Sequence, residues 1–419
     1  MNKIYKVVWS KVRNCYVVVS ELAKRNMRNT RSIVTCSKNK EIVALCTAIL
    51  CSFGGMTWAA DTTTGAGNGV AIGTSSNAPK AENVAIGKEA GISYSNGASN
   101  ATGDIVVGNG ANINNYASQG GSVAIGKNAK VENMAGGGEA SFAFGQTTFS
   151  GGWWSSARIP ADPTKVVGSV AIGDNTFART GSTMIGSHNY KGALGDTTVD
   201  SASTRTDALN VYATTIGANS FSNGAFTTST GVYNIISSDY NGGRLANPVK
   251  NLGATINGSL NSIEGMSGNY YSGIANTVSG VANRTFNSNG SLIYGAGNEI
   301  TNSVTSLSSV PTDSGSSAKD FAEKLRTAIT SSESGGATLA IGGGNKADYT
   351  QKTSIIGVNN TITGTSGKVS QLNFVSGFKN TITNASNNIV MGDKHTVTAD
   401  NTVAIGGLSS ADTRSVANT

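Results

Sequence analysis

The chain has 419 residues with 54 glycines, five prolines, 6% aromatic and 13% charged residues. Its formal charge of +7 sits in the first sixty residues, which hold ten Lys/Arg against two Asp/Glu and leave 21 against 22 for the rest. The basic balance therefore says nothing about nucleic acid, and no nucleic-acid partner is expected. Glycine-rich, weakly charged chains are often disordered, but here short Val/Ile strands recur throughout and argue for order.

In chain order, residues 1–24 form a basic, valine-rich segment, Met1-Asn2-Lys3-Ile4-Tyr5-Lys6-Val7-Val8-Trp9-Ser10 and then Asn14-Cys15-Tyr16-Val17-Val18-Val19-Ser20-Glu21. Residues 25–60 follow the order of a secretory signal. Lys38 and Lys40 precede the apolar run from Ile42 to Phe53, and the small-residue cleavage site at Ala59 or Ala60 follows it. That run is too short for a membrane span and is expected to be a helical signal segment. All four cysteines, Cys15, Cys36, Cys46 and Cys51, lie before this site, so the processed chain holds no disulfide and no cysteine metal site.

From residue 61 one phrase recurs. Val70-Ala71-Ile72-Gly73, Val84-Ala85-Ile86-Gly87, Val123-Ala124-Ile125-Gly126, Val170-Ala171-Ile172-Gly173 and Val403-Ala404-Ile405-Gly406 are its close copies. Looser copies are Phe142-Ala143-Phe144-Gly145, Thr183-Met184-Ile185-Gly186, Leu339-Ala340-Ile341-Gly342 and Val390-Met391-Gly392. Spacing is near-regular: 14 residues from Gly73 to Gly87, 15 from Gly342 to Gly357, 15 from Gly377 to Gly392 and 14 from Gly392 to Gly406. A fixed period with one short apolar strand per copy is a solenoid. About 14 residues hold two short strands and two corners, so the expected fold is all-β, a two-sided parallel roll. Glycines 73, 87, 126, 173, 342, 357, 377, 392 and 406 are expected to turn the chain. Val70, Ile72, Val84, Ile86, Val123, Ile125, Val170, Ile172, Ile341, Val403 and Ile405 are expected to pack in the repeat core or between chains. Asn276-Thr277-Val278, Asn360-Thr361-Ile362 and Asn380-Thr381-Ile382 read as second strands. Each coil has a thin core and an apolar outer face, which a neighbouring copy would cover.

The repeats divide into a regular block at 61–186, a looser block at 187–336 with insertions, a second regular block at 337–406 and a polar tail at 407–419. The insertion at 147–167 carries Trp153 and Trp154, candidates for a stacking platform against a ligand. Within the insertion at 306–336, Ser317 is a plausible cap, Phe321, Leu325 and Ile329 share a helical face, and Asp320 and Lys324 form an i, i+4 pair. No catalytic, cofactor or metal site is expected. His188 and His395 occupy turn positions, and Gly121–Asn128 has phosphate-loop spacing without the required Ser/Thr or loop.

The N-terminal phrase resembles the extended signal peptide region of large type V secreted proteins of Gram-negative bacteria, and the Val-Ala-Ile-Gly repeats resemble the head of trimeric autotransporter adhesins, the YadA-like proteins. The resemblance implies a left-handed parallel β-roll, a homotrimer, and export through Sec and the outer-membrane assembly machinery. It also implies display at the cell surface or outer membrane and binding of host extracellular matrix or surface glycoconjugates. The family's coiled-coil stalk and membrane anchor are not visible, so the chain as given could also be unanchored. The alternative is a secreted single-chain β-solenoid, haemagglutinin-like or polysaccharide-acting; rungs of 13–15 residues favour the head.

Overall fold

The computed structural model describes residues 5–10, 15–20, 64–94, 101–115, 120–133, 167–187, 211–238 and 249–407, apart from 267, 268, 270, 306, 308, 309, 312–316 and 334. Met1–Asp61 and Thr62–Thr419 are separate compact units. In the first, Tyr5–Ser10 and Cys15–Ser20 pair antiparallel from Tyr5↔Ser20 to Ser10↔Cys15. The segment ahead of the apolar run is thus a strand pair. Consecutive β-branched valines with Trp9 and Tyr16 favour an extended chain. The apolar run at 42–53 and the cleavage site at Ala59 and Ala60 lie outside the described residues.

The second unit is a parallel roll. Among the described residues, its first wall is a sixteen-stranded sheet in strict chain order. The strands are Val70–Ile72, Val84–Ile86, Ile105–Val107, Val123–Ile125, Val170–Ile172, Thr183–Ile185, Thr214–Ile216 and Thr228–Thr230. Then come Thr255–Ser259, Thr277–Val281, Leu292–Ala296, Leu339–Gly343, Ser354–Val358, Phe374–Phe378, Ile389–Asp393 and Val403–Gly407. Sixteen strands at ~4.8 Å spacing make this wall roughly 70 Å long. Register follows the repeat: Val70 pairs Val84, Leu292 pairs Leu339, and Ile389 pairs Val403. The second wall is two sheets. Gly91–Tyr94, Asn112–Asn115, Lys130–Asn133 and Phe177–Arg179 form the first, and nine strands from Phe221–Ser222 to Thr396–Val397 form the second. Thr350–Gln351 and Ser370–Gln371 add a short third pairing to the two expected sides.

Three expectations need correction. Val123 pairs directly with Val170, so no first-wall rung lies between them, and Phe142–Gly145 lies outside the described residues. Asn276-Thr277-Val278 lies on the first wall, pairing Thr277 with Leu292, while Thr361 and Thr381 lie on the second. Both walls are preceded by a buried asparagine, so the local phrase is the same for each and only register separates them. The large residues of the repeat are not in the core. Ala85, Ala124 and Ala171 are fully buried, whereas Val70, Ile72, Ile125, Val403 and Ile405 are exposed. Val84, Ile86, Val123, Val170, Ile172 and Ile341 point outward with them and are half-buried. In the N-terminal part of the roll one wall offers alanine where the other offers Ile92, Ile113 or Val131. Further along both walls offer large side chains, Ile355 and Val375 on the first and Ile362 and Ile382 on the second.

The core divides in two. One cluster runs from Ala78 to Ala213 and another from Ile236 to Ala404. Between them the inward residues are Thr215, Ser222 and Ser229, with Thr215 Oγ1 donating to Ser222 Oγ at 2.8 Å. Phe177 and Phe221 pack together where the second wall changes sheets. Helix α1, Ala318–Ser331, is inserted between two consecutive first-wall strands, with Ser317 Oγ accepting from the Asp320 N–H. Its buried residues are Phe321 and Ala328, with Leu325 half-buried between them, a shift from the expected Ile329 stripe. The i, i+4 ion pair seen is Lys319 with Glu323, one step before the pair the spacing suggested. Phe321 stacks on Phe226 and joins Val211, Val249, Leu252 and Ile274, so the helix covers the corner that precedes the first wall.

Corners are held by side chains that repeat with the rungs. The glycines closing the first-wall phrase have φ from +118 to +146°, at Gly231 and Gly186 respectively, a region side chains rarely adopt. A Cβ on Gly342 would lie 1.9 Å from the Gly357 carbonyl oxygen, so these glycines also permit rung-to-rung contact. Three residues after them stands a buried ladder: Asn234, Asn261, Asn283, Asn298, Asn345, Asn360, Asn380 and finally His395. Each asparagine Oδ1 accepts the backbone N–H of the next member, at 3.1 Å between Asn298 and Asn345. His395 continues the pattern, donating its N–H to Asn380 Oδ1, with Nε2 2.7 Å from the Gly406 carbonyl.

Near the other end Asp104 takes a related place. Its carboxylate accepts from the Ser122 N–H at 2.9 Å, Asn115 Nδ2 at 2.7 Å and the Tyr94 hydroxyl at 3.2 Å. Burial pushes the Asp104 carboxyl above the ordinary carboxylate range, against the pull of those bonds and of Lys80, and burial pushes Tyr94 up to about 12. A carboxyl raised in the folded state binds protons more tightly there than when unfolded. Its stabilising contribution is therefore complete below the unfolded value of about 3.9 and is lost as pH rises through the folded value. The stability of the parent chain relative to Asp104→Asn should accordingly fall as pH is raised from about 3.9 toward neutrality. Urea midpoints at a series of pH values test this, and a parent chain that gains stability relative to the variant as pH rises would refute it.

Candidate functional surface

The outward face of the first wall is the feature that separates this roll from an ordinary surface. Its first and third strand positions carry Val, Ile, Leu, Phe, Tyr, Met, Thr, Ser and one Asn and no charged residue; the single charge on the sixteen strands is Asp393, at the fifth position of Ile389–Asp393. Ile405 is 66% exposed, Tyr294 63% and Val70 48%. Parallel register lines equivalent residues up, so scattered repeats become continuous stripes. Apolar pads of this extent, on an uncharged face, mark an interaction site. The strip measures roughly 70 by 10 Å, or ~700 Å², close to the ~800 Å² per partner of a standard interface.

The second wall is different. Its outward positions carry the half-buried or exposed Lys130, Glu264, Arg284, Glu299, Lys346 and Asp348, and also Glu132 and Arg179, which are buried. Arg284 bridges Glu264 at 3.0 Å and Glu299 at 2.8 Å across three rungs, and these contacts hold its guanidinium more firmly protonated. Lys130 lies 2.6 Å from Glu132, and Arg179 3.6 Å from it. One wall is thus built for water and ions, the other for an uncharged partner.

Among the described residues no three His, Cys, Asp or Glu side chains gather as a metal would require. His395 stands in the corner ladder, while His188, Trp153 and Trp154 lie outside the described residues. Val123–Ile125, the middle of the phosphate-loop look-alike, is a wall strand. Of the repeat residues singled out from sequence, the structure brings the Val and Ile members onto the one outward face and the glycines onto its edge. Sequence reasoning missed the asparagine ladder, although the recurrence of Asn three residues after the wall glycine was its signal. No helix among the described residues is long and apolar enough to cross a membrane.

Residues 1–49 match the family model described as the Extended Signal Peptide of Type V secretion system. The match covers the valine-rich segment and most of the apolar run that follows. The chain therefore carries the export signal of a type V secretion substrate, which directs it out of the cytoplasm. No curated protein matches the chain.

Proposed function

We propose that this chain is the head of a trimeric autotransporter adhesin: three copies assemble through their uncharged walls and bind host matrix or surface glycoconjugates. The observation that carries this reading is the exposed, largely apolar wall, uncharged at its first and third strand positions, on a chain exported by type V secretion. An uncharged face meets identical copies without like-charge repulsion, and the exposed charges of the second wall, Arg284 and Glu299 among them, stay in water. Sec and the outer-membrane assembly machinery would deliver the head to the cell surface. Binding would rest on avidity, many weak contacts on three copies of a repetitive wall, with no catalytic step. Trp153 and Trp154 are the first side chains to test for ligand contact.

The test is the mass in solution of the chain from Thr62 onward, by light scattering across a dilution series, followed by adhesion to immobilised matrix proteins and glycans. A trimer that persists on dilution is the expected result. Ile86→Asp places equivalent carboxylates of all copies in one desolvated layer. It should weaken assembly more than 100-fold, about 3 kcal/mol, and remove adhesion with it. A parent chain that stays monomeric at micromolar concentration would overturn the reading in favour of a single-chain solenoid.

A further inference from the structure

The outward face of the first wall is not uniform. From Val70 to Ile216 every rung places at least one Val or Ile outward, and from Leu292 to Ile405 every rung again places at least one large apolar side chain there. Between these pads three consecutive rungs carry only small polar residues at the first and third positions: Thr228 and Thr230, Thr255 and Asn257, Thr277 and Ser279, with the exposed Val281 two residues beyond Ser279. Their register is direct, Thr228 on Thr255 on Thr277, so the hydroxyls form one patch over the first and third strand positions. Thr183 and Thr214 lead into it from the N-terminal side, each beside an isoleucine.

Resting on the assembly reading above, we infer that this hydroxyl-lined gap sets the register in which copies of the chain meet. A repetitive apolar stripe specifies no register, because sliding by one rung replaces each contact with a near-identical one. The gap breaks that degeneracy. In register, three hydroxyl patches face one another and enclose a polar section that holds water and satisfies every hydroxyl. Slipped by three or four rungs, the patch of one copy meets Ile341, Ile356 or Phe374 of another. Polar groups then lose their partners and apolar groups lose their cover. The polar section exists only between copies, so the partner is a second copy of this chain with its rungs aligned.

The processed chain contains no cysteine, so single reporters read register cleanly. Ser279→Cys and Ser376→Cys each place a thiol at the third position of a first-wall strand, four rungs or ~19 Å apart. In the parent background, chains carrying the same reporter should cross-link, and a mixture of the two reporters should not. In a Thr228→Val/Thr255→Val/Thr277→Val background the mixed pair should cross-link and the mass distribution should broaden. Thr→Ser at the same three positions keeps the hydroxyls and should behave as the parent. Val variants that still give one mass and no mixed cross-link would overturn this inference alone, as would slipping in the Ser variant. A monomeric parent chain would overturn the assembly reading and this inference with it.

Discussion

Asn345→Ala is expected to lower the stability of the roll by about 3–5 kcal/mol, because it leaves several buried groups without partners. Asn345 is fully buried; its Nδ2 donates to Asn298 Oδ1 at 2.9 Å and to the Gly357 carbonyl at 2.8 Å. Its Oδ1 accepts the N–H of Asn360 at 3.1 Å and Asn360 Nδ2 at 2.9 Å. Alanine removes all four bonds and strands the Gly357 oxygen and the Asn360 N–H, each a loss of about 1–3 kcal/mol. Asn345→Asp is a sharper variant. It keeps the acceptor for Asn360 but sets a carboxylate against Asn298 Oδ1 and the Gly357 oxygen. Aspartate at this site should therefore be more destabilising at pH 7 than at pH 4, where protonation restores a donor. Urea midpoints of the chain from Thr62 onward at both pH values check the pair. An alanine variant within 1 kcal/mol of the parent would show that the ladder is incidental to stability.

Gly342→Ala should be about as damaging, for a backbone reason. The residue sits at φ +123°, where an L side chain is strained by about 1–3 kcal/mol, and its Cβ would lie 1.9 Å from a carbonyl oxygen that cannot swing away. The two rungs would have to part, breaking the pairing of Gly342 with Gly357. Gly253 is the control. Its φ is +68° and nothing lies within 4 Å of a Cβ built there, so alanine should cost only about 1 kcal/mol. Thermal unfolding of the two variants side by side separates the effects. Equal shifts would mean that the wall glycines serve conformation alone and not close approach.

Much of the fold could be read from the repeat because the repeat is the fold. Gly87 with Ile86, and Gly342 with Ile341, recur because each rung lies on the last in register, so period gives topology directly. Reading failed where a phrase has two possible addresses. Asn276-Thr277-Val278 and Asn360-Thr361-Ile362 are alike in sequence and lie on opposite walls, since a buried asparagine precedes both. It failed again over Phe142–Gly145, where resemblance to a rung carries no information about what Val123 pairs with. In the helix, Phe321, Leu325 and Ile329 fit a stripe, yet the corner formed by Val211, Leu252 and Ile274 receives Ala328. Packing partners distant in sequence chose the face.

By itself the sequence determined that this protein is an exported solenoid of short parallel rungs, because an export signal and a fixed period are local, linear properties. Tertiary structure alone decided which side of each strand meets water. Alternation puts Ala85 and Ile86 on opposite faces, but either face could have been the inside until the second wall supplied Ile92 to fill the space beside alanine. With the small residue inward and the large one outward, Val and Ile became a surface. The hydroxyl gap within that surface, and the ladder of Asn298, Asn345 and Asn360 behind its edge, exist only once distant rungs are stacked.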